Sequence, residues 1–291
     1  MTKTKAVAEL TFAGVLWGFG FVAAVWSLGA FTPVETLVWR FIVASVLGEL
    51  LFLIARGPAR LTALHDFKKA FPAGLFLGGM LLLQTIGLKY TTATKSGFIT
   101  CLYVIFVPLM NTAFFKTRSH WFNYILALTA LLGTFILMGA KFENVNTGDL
   151  WTLGCSIFAT FHIIYIGRIS TQIGEAFRFN NFQSIWALII LTPLLLTQDQ
   201  VQMWTTDVKA WAGILSLGLC SSVIAFYLQV RSQRVLTDST ASMLFLLESP
   251  VAALFGFLLL QERLSLFQAS GALIILLASA LQILSERAKT R

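Results

Sequence analysis

The sequence predicts an all-α integral membrane protein, with ten transmembrane helices in two inverted five-helix repeats. Composition points there first: of 291 residues, 57% are hydrophobic and 12% charged, and the mean hydropathy is +0.80. One water-soluble core cannot bury that much apolar surface, so lipid must be the solvent for most of it. The second observation is the continuity of the apolar runs. They are helix-length, unlike the alternating segments of about ten residues that build an outer-membrane barrel. The third is a likeness between the two halves of the chain.

A hydrocarbon core about 30 Å thick takes roughly 20 apolar residues per helix, and a helix satisfies its own backbone there. Reading from one polar break to the next gives spans at 8–28, 34–55, 71–88, 96–115 and 121–140. A second set follows at 150–167, 180–197, 209–230, 240–260 and 265–284. Pro33, Pro58 and the stretch from Asn144 to Asp149 punctuate short connections, which leave no room for a separate soluble domain. The two repeats are expected at 1–144 and 145–291. The basic start, Met1 to Lys5, runs straight into a full-length span without a small-residue cleavage pattern, so no cleavable signal is expected.

Charge placement supplies the orientation. With a cytoplasmic N-terminus, fifteen of the 21 Lys and Arg fall on the cytoplasmic side and five on the other, with Arg40 inside a span. That is the positive-inside bias, and an even number of spans then puts both termini in the cytoplasm. The net charge of +8 is spread over these short links and forms no basic domain, so no nucleic-acid partner is expected. Cys101, Cys155 and Cys220 lie within apolar runs without a CxxC pair, and read as small packing residues with no disulfide framework or metal site.

In each half, the fourth span carries a proline in its second part, followed by a basic link and a short fifth helix. In the first half this is Gly97 to Pro108 and then Lys116-Thr117-Arg118. In the second it is Ala241 to Pro250 and then Gln261-Glu262-Arg263. Because five is odd, a second copy enters the membrane upside down. Inverted repeats are the building logic of many secondary transporters, with substrate sites where the repeats meet near the bilayer midplane.

At Gly14-Val-Leu-Trp17-Gly18, Trp39-Arg40-Phe41, the run from Gln84 to Ala93, and Leu247-Glu248-Ser249-Pro250 with Gln261-Glu262-Arg263, the chain resembles the drug/metabolite transporter superfamily, and within it the EamA family of ten-helix bacterial carriers. Thr117 stands where that pattern has a glutamate before Arg118, and Ser249 separates Glu248 from its proline. The resemblance implies two inverted bundles around a central cavity lined by helices 1, 3, 4 and 8. It also implies a bacterial inner-membrane location and metabolite transport, often export of amino acids or related compounds.

Ionisable groups inside a bilayer cost a few kcal/mol on the mildest scale, so each needs a partner, a wet cavity or a role. Three lie clearly within spans, away from their ends: Arg40, Glu49 and Glu248. Glu248 precedes Pro250 by two residues, and the missing proline amide is expected to free a carbonyl one turn earlier for a ligand or cation. Glu248 reads as a proton site, as a counter-charge for a cationic substrate group, or as an acceptor pinning neighbouring helices. Arg40 reads as a carboxylate clamp or as the structural partner of Glu248 or Glu49. Glu49, nearer the helix end, can reach water. His162 is a candidate for substrate contact or proton coupling, against a plain hydrogen bond to a neighbouring helix.

Trp17, Gln84, Tyr103, Tyr227 and Gln229 complete the candidate set, as aromatic and amide groups able to line a wet cavity. Each also has a packing reading with its polar tip satisfied. Gly14 with Gly18, and Gly74 with Gly78, make small-residue steps that let helix backbones approach closely. The 26 phenylalanines read as lipid-facing or packing residues.

The leading expectation is a carrier of a small molecule working by alternating access, with possible proton coupling and no cofactor. A membrane enzyme would need a reactive set such as HExxH, and His65, His120 and His162 are scattered. A channel or structural subunit would favour a repeated selectivity motif, and no Walker A sequence suggests ATP drive.

Overall fold

Every segment read as a span is helical in the computed structural model, which describes residues 1–56, 63–91, 93–116, 120–140, 145–261 and 263–288. Pro58, Thr117, Arg118, Asn144 and Glu262 lie outside the described residues. So do Arg60, Lys141, Lys289 and Arg291 of the charge count. Among the described residues nine helices are long and apolar enough to cross a membrane, a tenth apolar helix has 17 residues, and no strand occurs.

The first five are α1 (Lys3–Leu28), α2 (Pro33–Arg56), α3 (Ala63–Gly87), a broken α4 made of α4a (Ala93–Thr100) and α4b (Tyr103–Phe115), and α5 (Trp121–Leu137). The second five are α6 (Thr147–Ile169), α7 (Ala176–Leu191), α8 (Val208–Ser232), a broken α9 made of α9a (Asp238–Phe245) and α9b (Glu248–Leu259), and α10 (Leu266–Ala288). The fifth helix is short, as expected, but the tenth, at 23 residues, is not. Local chemistry starts several of them. Asn146 and Asp149 form a reciprocal capping box at α6, and Glu175, Asp207 and Thr237 cap α7, α8 and α9a by accepting first-turn amides.

Packing reveals the inverted symmetry. Exchanging each helix with the one five places on maps the α3 contacts with α6 and α7 onto those of α8 with α1 and α2. The contact of α1 with α9b maps onto that of α6 with α4, while the α5–α10 and α2–α7 pairs map onto themselves. The start of α1 and the end of α10 lie at one face. There Glu9 of α1 meets Arg231 and Ser232 at the end of α8, and Gln282 of α10 bonds Thr240 at the start of α9a.

The breaks in α4 and α9 correspond residue for residue. Leu102 and Leu247 precede the second half-helices with φ, ψ of −57°, −19° and −61°, −18°. Around each, amides bond the carbonyl three residues back, as Val104 does to Cys101 and Ser249 to Leu246. This tightening aligns Tyr103 with Glu248, so Pro108 and Pro250 do not coincide: Pro108 follows Tyr103 by five residues and Pro250 follows Glu248 by two. It also removes an expected opportunity. The Leu246 carbonyl left without a partner by Pro250 is taken by the Ser249 amide at 3.1 Å and is not free for a ligand.

Candidate functional site

The helix α1 reaches the α9 break because it carries glycine there. A Cβ on Gly14 would lie 3.4 Å from Leu247 Cβ, and one on Gly18 would lie 2.7 Å from Val251 Cβ and 2.9 Å from the Glu248 carbonyl oxygen. With α1 seated so closely, Trp17 enters the space between the halves. Its indole packs edge-on to Phe245 at 5.0 Å and tilted against Phe226 at 5.1 Å. Tyr103 adds a ring contact with Phe245, and His162 stands edge-on to Phe226.

These rings wall a cavity of about 100 Å³. Its lining runs from Gln229 near the end of α8, past His162 and Glu248, to Ala24, Thr36 and Leu88 near the helix ends opposite the chain termini. Seven of the eight candidate residues line it: Trp17, Arg40, Gln84, Tyr103, His162, Gln229 and Glu248. Tyr227 does not. One residue along from Phe226 on α8, it faces away from the cavity, packs against Phe177 and accepts a hydrogen bond from Arg231 at 3.0 Å.

Tyr103 and Glu248, the first residues of the two second half-helices, meet directly, with the Tyr103 hydroxyl donating to Glu248 Oε1 at 3.3 Å. Beside them Cys101 Sγ lies 3.1 Å from Ser249 Oγ. Gln84 donates weakly to Thr100 at 3.5 Å, and Gln229 donates to Gln233, which bonds the Ile163 carbonyl.

Arg40 pairs with neither carboxylate proposed for it. Glu49 is engaged elsewhere, by Arg178 and by Asn181 Nδ2 at 2.8 Å. Arg40 is 6% exposed and donates from Nε to Ser222 Oγ at 2.7 Å; among the described residues its two terminal nitrogens have no protein partner. A buried guanidinium without a counter-ion is costly unless a ligand or water completes it. Two further polar groups on the same wall, Trp17 Nε1 and Thr36 Oγ1, are buried and have no partner among the described residues.

Ser222 lies in a nine-residue π-helical segment of α8, Leu217–Ala225, a wide turn often found at functional positions. Asn180 of α7 donates its amide to the Ser222 and Val223 carbonyls at 3.0 and 3.1 Å. Carbonyls only accept, so Asn180 Oδ1 must receive Gln183 Nε2 at 2.8 Å, and Gln183 Oε1 must receive His162 Nε2 at 3.0 Å. One directed chain therefore links His162 to the segment that holds Arg40. Asn180, Gln183, Ser222 and the packing pair Phe226 and Phe245 were not singled out in the sequence. The signal for the first two was the polar run Asn180-Asn181-Phe182-Gln183-Ser184 inside a span.

Among the described residues no cluster of three His, Cys, Asp or Glu could hold a metal ion. Chemically, the cavity offers a guanidinium, a carboxyl group, an indole and a phenol ring around a small space.

Comparison with known proteins agrees with this architecture. The model of the EamA-like transporter family matches residues 5–139 and again 146–284. A protein of Archaeoglobus fulgidus named "Uncharacterized transporter" is 30% identical over 276 residues, covering 92% of this chain and 82% of that one. One of Haemophilus influenzae with the same name is 21% identical over 233 residues, covering 76% and 75%. The fold matches a crystal structure with a TM-score of 0.80 at 16% identity, over 97% of this chain and 99% of the other. The chain belongs to the EamA-like transporter family, as an integral multi-pass membrane transport protein within the drug/metabolite transporter superfamily.

Proposed function

We propose that the protein is a secondary carrier that exports a small zwitterion, an amino acid or related compound, by alternating access around the central cavity. One observation carries this reading. A single cavity presents the open guanidinium of Arg40 and the carboxylate of Glu248, with no ion pair formed between them. A substrate bearing both a carboxylate and an ammonium satisfies both at once, whereas a neutral solute leaves both charges without partners. Trp17, Gln84, Tyr103, His162 and Gln229 form the rest of the site. Export follows from the family resemblance, and the charge bias supports cytoplasmic termini in a bacterial inner membrane. The inverted repeats, 1–144 and 145–291, interleave across the cavity and give one packing with two arrangements, an inward and an outward opening. Glu248 is the group assigned to proton coupling.

Counterflow in proteoliposomes tests the reading. Arg40→Gln lowers amino-acid transport about 100-fold, the worth of roughly 3 kcal/mol of charge-assisted hydrogen bonding. Arg40→Lys, which keeps the charge and loses the fork, falls between. Glu248→Gln is expected to abolish pH dependence. Equal transport by wild type of analogues lacking the carboxylate or the ammonium would sink the zwitterion assignment.

A further inference from the structure

A second cavity of about 250 Å³ lies beside the first, between α1, α4a, α5, α9b and α10, toward the face opposite the termini. It is larger than the central cavity, and Thr134, Ser249, Arg263 and Gln268 stand among its mostly apolar lining. The partition is thin. Phe21 lines both cavities, and next to it stands the Cys101–Ser249 contact, one residue beyond Glu248. Trp17 and Phe19 on the same helix are fixed by ring contacts; among the described residues Phe21 has none. The far wall is small-residue surface, including Gly97, Ala253 and Gly256, and a Cβ built on Gly97 meets nothing within 4 Å.

We propose that this second cavity is the side-chain compartment of the transport site. On that basis, and resting on the zwitterion reading above, the substrate carries a bulky apolar group, with Phe21 and Gly97 setting the size admitted. The charged ends of the substrate stay at Arg40 and Glu248, and its apolar group passes Phe21 into the part of the compartment lined by Val22, Gly97, Phe98, Ala253 and Gly256, away from Gln268 of α10 and Arg263 of the link before it. Burial of that group supplies selectivity, because each methylene accommodated or refused in an apolar pocket changes discrimination by about tenfold or more.

The experiment uses the purified full chain in proteoliposomes, with counterflow of glycine, alanine, leucine and phenylalanine. Gly97→Leu fills the compartment from a position with open space, and Gly97→Ala serves as its folding control. Gly97→Leu is expected to lower leucine and phenylalanine transport at least about tenfold relative to alanine. Alanine itself is expected to change less than about twofold. Phe21→Ala, which widens the passage, raises the leucine-to-alanine ratio. Unchanged leucine and phenylalanine transport in Gly97→Leu overturns the proposal and leaves the compartment to a lipid chain. An equal fall for all four solutes in a folded variant also overturns it. Failure of the wild type to carry any of the four defeats the zwitterion reading and this proposal with it.

Discussion

Where α4b ends and α9a begins, at the face carrying the termini, the space between the half-helices is filled with polar bonds. Asn111 donates to Asp238 at 3.0 Å, Gln233 donates to Asp238 at 3.3 Å, and Arg168 donates to Asn111 at 3.4 Å while lying 3.5 Å over the Phe115 ring. The matched region at the opposite face, where α9b ends and α4a begins, holds a cavity of about 250 Å³. Counted from the aligned breaks, Asn111 corresponds to Gly256 and Phe115 to Leu260. The two repeats share a backbone course and differ in what fills it. One framework thus holds a closed end and a roomy end together, the inequality on which a carrier open at one end at a time depends.

The largest effect is expected from breaking the closed end. A Cβ on Gly167 would fall on Asp238 Oδ1, so Gly167→Ala expels Asp238 from its bonds with Asn111 and Gln233. Losing hydrogen bonds to a half-buried carboxylate acceptor costs about 1.5 to 3 kcal/mol. Thermal unfolding in detergent should show a clearly lowered midpoint, and labelling of sites at the terminal face should accelerate. A midpoint equal to wild type would mean that the polar cluster does not hold this end shut.

Next in size is the seat of α1 on the α9 break, which both regions share. Gly18→Ala places a methyl against Val251 and the Glu248 carbonyl, and forcing such a contact costs about 1 to 3 kcal/mol. Because the displaced residue is Glu248, transport should fall further than the folded fraction does. Parallel losses of both would reduce Gly18 to a packing role.

How far the sequence foretold these regions depends on the kind of information needed. Hydropathy and span length disclosed the ten helices, because lipid imposes one rule on every backbone group. The inverted halves were legible from the repeated proline-bearing fourth helix, though the prolines suggested the wrong register. Pro250 marks the α9 turn by freeing the Leu246 carbonyl, but no glycine or proline within four residues marks the turn before Tyr103. Which face of a span points inward was harder still. A helix apolar all round, such as α1, shows no polar stripe to orient it. Tyr227 was chosen on residue type, and its neighbour Phe226 took the inward position. Arg40 and Glu248 stood out because charge in lipid is rare, whereas their actual partners, Ser222 and Tyr103, lie 182 and 145 residues away in sequence.

The smallest effect, and the one of opposite sign, is expected from Gly97→Ala at the roomy end. Gly97 sits inside α4a, and an added Cβ meets no atom within 4 Å, so no contact opposes the change. Alanine in a helix interior is favoured over glycine by about 0.8 to 1.0 kcal/mol, since glycine surrenders more backbone freedom on folding. The unfolding midpoint should therefore rise by roughly 2 °C, while Gly167→Ala, the same substitution at the closed end, lowers it. A fall in both variants would mean that the space beside Gly97 closes in the folded ensemble and that the two ends are packed alike. A rise at one and a fall at the other locates the free volume of the bundle at the face opposite the termini.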